Sequence, residues 1–187
     1  MNKLIKILFV PLLALFVGIG MNFSSQNVEA SENSNTNIPE RFIPENIKRS
    51  LPDGDVLIGQ KDGKLSDIMN NKDDISPLAE SVWYHSHATY NSTDGVSIYI
   101  ELYLPSGGNP GFTGMYGSAT GELPNSIRQV GFSKSANGTK TISITAKTGA
   151  KGKSGDTGMA RFSGVATANN ALGGGGGFAG SYAISIP

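Results

Sequence analysis

An all-β, antiparallel sandwich is predicted for residues 81–187, and three observations predict it. Period-2 runs of β-branched and aromatic residues recur at 82–91, 96–104, 126–134, 139–147, 159–168 and 178–186, with a weaker run near 113–120. Clusters of Gly, Asn, Asp, Ser and Pro separate these runs, and no helical period interrupts the series. Short alternating strands between turn signals are the pattern of two packed sheets, of Greek-key, immunoglobulin-like or jelly-roll type.

The chain begins differently. Lys3 and Lys6 precede an apolar stretch from Ile7 to Gly20, and small and polar residues lead to Val28-Glu29-Ala30. A basic start, an apolar middle and a small-residue site read as a signal peptide over 1–30, cleaved after Ala30. The apolar run is about 14 residues where roughly 20 span a bilayer, and Pro11 interrupts it. The expectation is a secreted, extracellular product with no stable membrane span after signal removal. Leu104-Pro105-Ser106 superficially suggests a wall-sorting signal, but no apolar tail with a basic end follows. The chain has no cysteine. Ser31–Pro187 is long enough to bury about two-thirds of its unfolded surface, so it needs no disulfides.

Residues 31–80 form an acidic N-terminal segment, with six Lys/Arg against ten Asp/Glu. Residues 81–187 carry seven against four, and 20 of the 25 glycines. Ser31–Asn37 is polar. Pro44–Ser50 suits a short helix with Pro44 in its first position. Val56–Ile58 suits a brief strand between turns at Asp53-Gly54 and Asp62-Gly63. Leu65, Ile68 and Met69 have the spacing of a short amphipathic helix over 65–71. None of these pieces makes a core alone, so the segment is a linker, a docked extension or a propeptide, and docking is expected.

Facial consistency sets strand register, because a one-residue slip inverts every side chain. Runs 82–91 and 96–104 meet through Asn91–Gly95. An odd loop opposes Tyr90 to Val96, Ala88 to Ile98, Ser86 to Ile100 and Tyr84 to Leu102, an apolar face. The other face then holds Trp83 opposite Tyr103, His85 opposite Glu101 and His87 opposite Tyr99. Around Ala136-Asn137-Gly138, a three-residue loop with Gly138 left-handed opposes Phe132 to Ile142 and Val130 to Ile144. Gly173–Gly177 is expected in a loop before the last strand.

Several functions are excluded. Lys+Arg and Asp+Glu balance at 15 each, so no nucleic-acid partner is expected. The length is short of the about 250 residues of an eightfold βα barrel, and thiol chemistry has no residues. Gly152-Lys153-Ser154 ends like a phosphate loop, but Lys147 stands where that motif needs glycine. No G-x-S-x-G elbow exists. No catalytic residue and no cofactor is assigned.

The outward face of the first ribbon is the candidate ligand-binding site, comprising Trp83, His85, His87, Tyr99, Glu101 and Tyr103. Its aromatic rings offer apolar area with polar tips to a glycan, a cell-wall polymer or a partner protein, and a non-catalytic extracellular binding module is the leading expectation. An alternative is a small secreted toxin or antimicrobial acting on cell envelopes, with 31–80 as its leader. A second is a metal-assisted hydrolase with His85, His87 and Glu101 as weak candidate ligands of zinc, copper or nickel. The lysine-bearing loop 148–157 would meet an anionic envelope component, or more plainly form a solvated hairpin tip.

Overall fold

Eight strands form two four-stranded antiparallel sheets in the computed structural model. It describes residues 40–68, 82–104, 111–169 and 176–187, except for the side chains of 66 and 67. The expected signal peptide 1–30, the polar stretch 31–37, the expected helix beyond Ile68 and Gly173–Gly175 lie outside the described residues.

The strands are β1 (Val56–Lys64), β2 (Trp83–Asn91), β3 (Gly95–Tyr103), β4 (Phe112–Leu123), β5 (Ser126–Thr139), β6 (Thr141–Lys147), β7 (Thr157–Ala168) and β8 (Gly176–Ser185). The first sheet is ordered β1-β2-β3-β6 and the second β5-β4-β7-β8. Strands β3 to β6 make a Greek key folded across both sheets, since β6 returns to lie beside β3. Val96, Ile98, Ile100 and Leu102 of β3 are fully buried, as alternation requires of a central strand. They join Phe112, Met115, Ala119, Phe162, Phe178 and Ile184 of the second sheet in one core.

The β2–β3 ladder has the expected register, with Trp83 opposite Tyr103, His85 opposite Glu101 and His87 opposite Tyr99. Its turn explains this. The Asn91 side chain accepts the N–H groups of Thr93 and Asp94, each at 2.8 Å, and Gly95 takes a φ of 73° that side chains resist.

The second expected hairpin is corrected. Gly138 is left-handed, with a φ of 65°, but it carries the chain from one sheet to the other. Phe132 lies opposite Gly117 of β4, and Ile142 opposite Leu102 of β3. Strand β4 had read weakly because of Gly114, Gly117 and Gly121. At Gly117 the glycine is a packing requirement, since a Cβ there would lie 2.0 Å from the Ser163 carbonyl oxygen.

Helix α1 spans Pro44–Ser50 with Pro44 opening it. Asp62-Gly63 is not a turn but part of β1, which pairs with β2 along its length apart from a register shift between Leu57 and Gly59. Lys61, on the inward side of this edge strand, reaches the Ser181 carbonyl of β8, and such charges blunt edge-to-edge association. Leu65–Ile68 is a 3₁₀ turn. Ile58, Leu65 and Ile68 join the main core, so β1 and the 3₁₀ turn after it pack as part of the sandwich. The loop after β6 is not a solvated tip throughout, because Ala150 is fully buried and its carbonyl accepts the Val96 N–H at 2.8 Å.

Candidate functional site

Pairing across the first sheet sorts its outer face into rows. One runs Asp62, His85, Glu101, Ser143, and the next Gln60, His87, Tyr99, Thr145. Thr89, Ser97 and Lys147 follow, and Trp83 and Tyr103 lie in the row beyond Glu101. Over this floor passes a strap formed by the 3₁₀ turn Glu40–Phe42, helix α1 and the chain to Asp55. Between strap and floor lies a cleft of about 870 Å³, within the size range of small-ligand sites. Its walls include Ile47, Leu51, Asp55, His87, Thr89, Asn91, Asp94, Ser97, Tyr99, Thr145 and Lys147.

Two polar networks organise the floor. In the first, His85 Nδ1 bonds Asp62 Oδ1 and His85 Nε2 lies 2.8 Å from His87 Nδ1. Phe42 stacks on His85 at 4.5 Å with planes 9° apart, so His85 faces outward from its strand yet is only 1% exposed. His87 stacks on Tyr99 at 4.8 Å. Burial, and then the neighbouring His85, push the His87 pKa down to about 4, so that ring is neutral at pH 7.

In the second network the Tyr99 hydroxyl donates to Glu101 Oε2 at 2.7 Å, and Arg41 Nη2 meets Glu101 Oε1 at 2.5 Å. Burial, followed by the bond to Glu101, raises the Tyr99 pKa to about 12. The Arg41 guanidinium also lies over the Tyr103 ring, 4.6 Å from its centre. The cleft mouth is tied as well. Asp55 accepts from Thr89 and from Asn91, at 3.2 and 2.7 Å. Lys147 donates to Asp94 at 2.9 Å, and that bond raises the lysine pKa.

All six candidate residues therefore lie on one face, as the register required, but they divide. His85, His87, Tyr99 and Glu101 border the cleft, whereas Trp83 and Tyr103 fall outside it. Nor is the face an open platform, because Phe42 and Arg41 lie on it. The metal arrangement does not fit these contacts. The two imidazoles bond each other, and both Glu101 oxygens face other partners. Among the described residues no group of three His, Cys, Asp or Glu is placed to hold a metal.

Sequence reasoning missed Arg41, Phe42, Asp55 and Asp62. For Asp62 the local pattern misleads. Gln60, Asp62 and Lys64 share the parity of the core residue Ile58 and reach the outer face only through the register shift between Leu57 and Gly59, and Asp62-Gly63 resembles a turn. For Phe42 no signal existed, because it reaches the site from outside any strand.

A shallower depression of about 370 Å³ on the second sheet is bordered by Ser118, Thr120, Gln129, Arg161 and Ser163. Its cationic group is held by Glu122 at 2.7 Å, so it holds less available chemistry than the first cleft. Fold and cleft together define a class: a cysteine-free antiparallel β-sandwich with a strapped polar cleft on one outer face. No family model, curated protein or solved structure matches the chain.

Proposed function

We propose that this protein is a secreted extracellular binding module whose cleft seats a glycan segment of a cell-wall or surface polymer. The observation that carries the reading is the cleft floor, where the Tyr99–His87 stack sits among the hydroxyls and amide of Thr89, Asn91, Ser97 and Thr145. A sugar ring presents an apolar face to an aromatic ring and hydroxyls to its rim, and this lining offers both. The leader expected at 1–30 supports export. Among the described residues no helix is long and apolar enough to cross a membrane. Ile58, Leu65 and Ile68 in the core weigh against 31–80 being a removable toxin leader.

Retention of the full chain on insoluble wall polysaccharide tests the reading, with Tyr99→Ala and Trp83→Ala compared. Tyr99→Ala should lose retention and Trp83→Ala should keep it, with circular dichroism confirming that both fold. Retention unchanged in Tyr99→Ala would remove the cleft from consideration, and loss confined to Trp83→Ala would place the ligand at the Trp83–Tyr103 end.

A further inference from the structure

We infer that His87, backed by His85 and Asp62, is a general base on the cleft floor that activates water against an O-acyl ester carried by the bound ligand. The substrate class rests on the glycan reading above; the base itself does not. The inference begins with proton positions. The Asp62 carboxylate accepts the His85 Nδ1–H, and in the tautomer that this bond fixes His85 Nε2 is an acceptor. That nitrogen takes the His87 Nδ1–H across 2.8 Å. The lone pair of His87 is then on Nε2, which has no hydrogen-bond partner among the described residues, in a ring that borders the cleft. A carboxylate that fixes the tautomer of a base is the logic of the serine-hydrolase triad, here extended by one imidazole.

The proton step balances without a co-reactant. A cleft water gives a proton to His87 Nε2 while its oxygen bonds to the acyl carbon. The His87 Nδ1 proton passes to His85 Nε2, so the positive charge settles on His85 beside Asp62. When the tetrahedral centre collapses, the carbon–oxygen bond to the alcohol breaks. The protons run back, and His87 Nε2 protonates the leaving oxygen. The products are a carboxylic acid and the alcohol. Ser97, a diagonal neighbour of His87 in the ladder, provides a hydroxyl on the same floor.

Ester chemistry is favoured over glycosidic cleavage because the latter needs two available carboxyl groups. Of the four that line this cleft three are engaged, Asp55 by Thr89 and Asn91, Asp94 by Lys147, and Glu101 by Tyr99 and Arg41, which leaves Asp53 and no pair. The charged groups against the imidazole pair are Asp62 on β1, Glu101 on β3 and Arg41 in the strap.

Hydrolysis of p-nitrophenyl acetate by the full chain tests this without any glycan. The wild type should release p-nitrophenol faster than the same concentration of free imidazole. His87→Ala should lose about 10²-fold and recover when imidazole is added. Asp62→Asn, which keeps an acceptor for His85 but removes the charge, should also slow the rate while leaving the melting temperature near that of wild type. A His87→Ala protein as active as wild type, or one that imidazole does not rescue although it is folded, overturns the assignment. Wall-polymer retention measured on the same proteins separates the two proposals. Retention without esterolysis refutes the base alone, and esterolysis without retention refutes the glycan.

Discussion

Removing the Phe42 ring should open the strap while leaving the sandwich intact. Phe42 is 3% exposed and stacked on His85, yet neither it nor Ile47, the other buried residue of the strap, belongs to the main core. Truncating a buried phenylalanine to alanine costs about 3–5 kcal/mol. In a core residue that cost would appear in global unfolding. Here it falls on a local equilibrium, strap docked against strap free, and at about 1.4 kcal/mol per tenfold it raises the open population by roughly 10²- to 4 × 10³-fold. The remaining ties are Ile47, the Asp55 bonds to Thr89 and Asn91 at the far end, Arg41 over Tyr103, and the Arg41–Glu101 pair, whose arginine side chain is 47% exposed, so that pair contributes about 1 kcal/mol or less. Limited trypsinolysis reads the opening directly, because Arg41, Lys48 and Arg49 are exposed strap residues. Phe42→Ala should be cut there far faster than wild type under native conditions, with the thermal transition of the sandwich little moved. Unchanged cleavage, or a large cooperative loss of melting temperature without selective cleavage, would refute the reasoning that the strap is a separate unit.

Acid should weaken the fold through His87. Its folded pKa of about 4 lies below the ordinary 6.5, so between those values the unfolded chain binds a proton that the folded chain does not. Stability therefore falls as pH drops through this window, by at most about 3 kcal/mol. His87→Gln should flatten that part of the curve in urea titrations at pH 7 and 4.5, and an identical slope in both proteins would contradict it. Two neighbouring glycines should behave oppositely. A Cβ at Gly117 meets backbone oxygen at 2.0 Å, whereas at Gly131 its nearest contact is an ordinary 3.7 Å. Gly117→Ala should cost about 3 kcal/mol, while Gly131→Ala should stay within about 0.5 kcal/mol in denaturant melts. Equal effects would deny that backbone approach is what requires glycine at 117.

Much of the candidate site was legible because it depends on local periodicity. The alternation of Tyr84, Ser86, Ala88 and Tyr90 against Val96, Ile98, Ile100 and Leu102 admits one register that buries an apolar face. That register places His85 across from Glu101 and His87 across from Tyr99. The Asp62 contact was harder to see, since the apolar signal of β1 ends at Ile58 and the rest is held as a strand by pairing with β2. The Ala136-Asn137-Gly138 turn misled for a related reason. A left-handed glycine specifies a reversal, but whether the next strand stays in the same sheet depends on which ladder offers the better partner. Phe132 packs against β4, and Ile142 against β3.

Sequence alone determined the fold class, the strands of the β-rich body, the short helix opened by Pro44, and the set of residues sharing the outer face of the first ribbon. All of these follow from period, propensity and turn chemistry within a few residues. Tertiary structure decided which of those residues are covered, which nitrogen of His87 is bonded to His85, and where the described part of the acidic segment packs. Contacts such as Phe42 on His85, Arg41 on Glu101 and Asp62 on His85 join positions 23 to 60 residues apart. No local pattern encodes them, because they exist only once two sheets and a strap have packed.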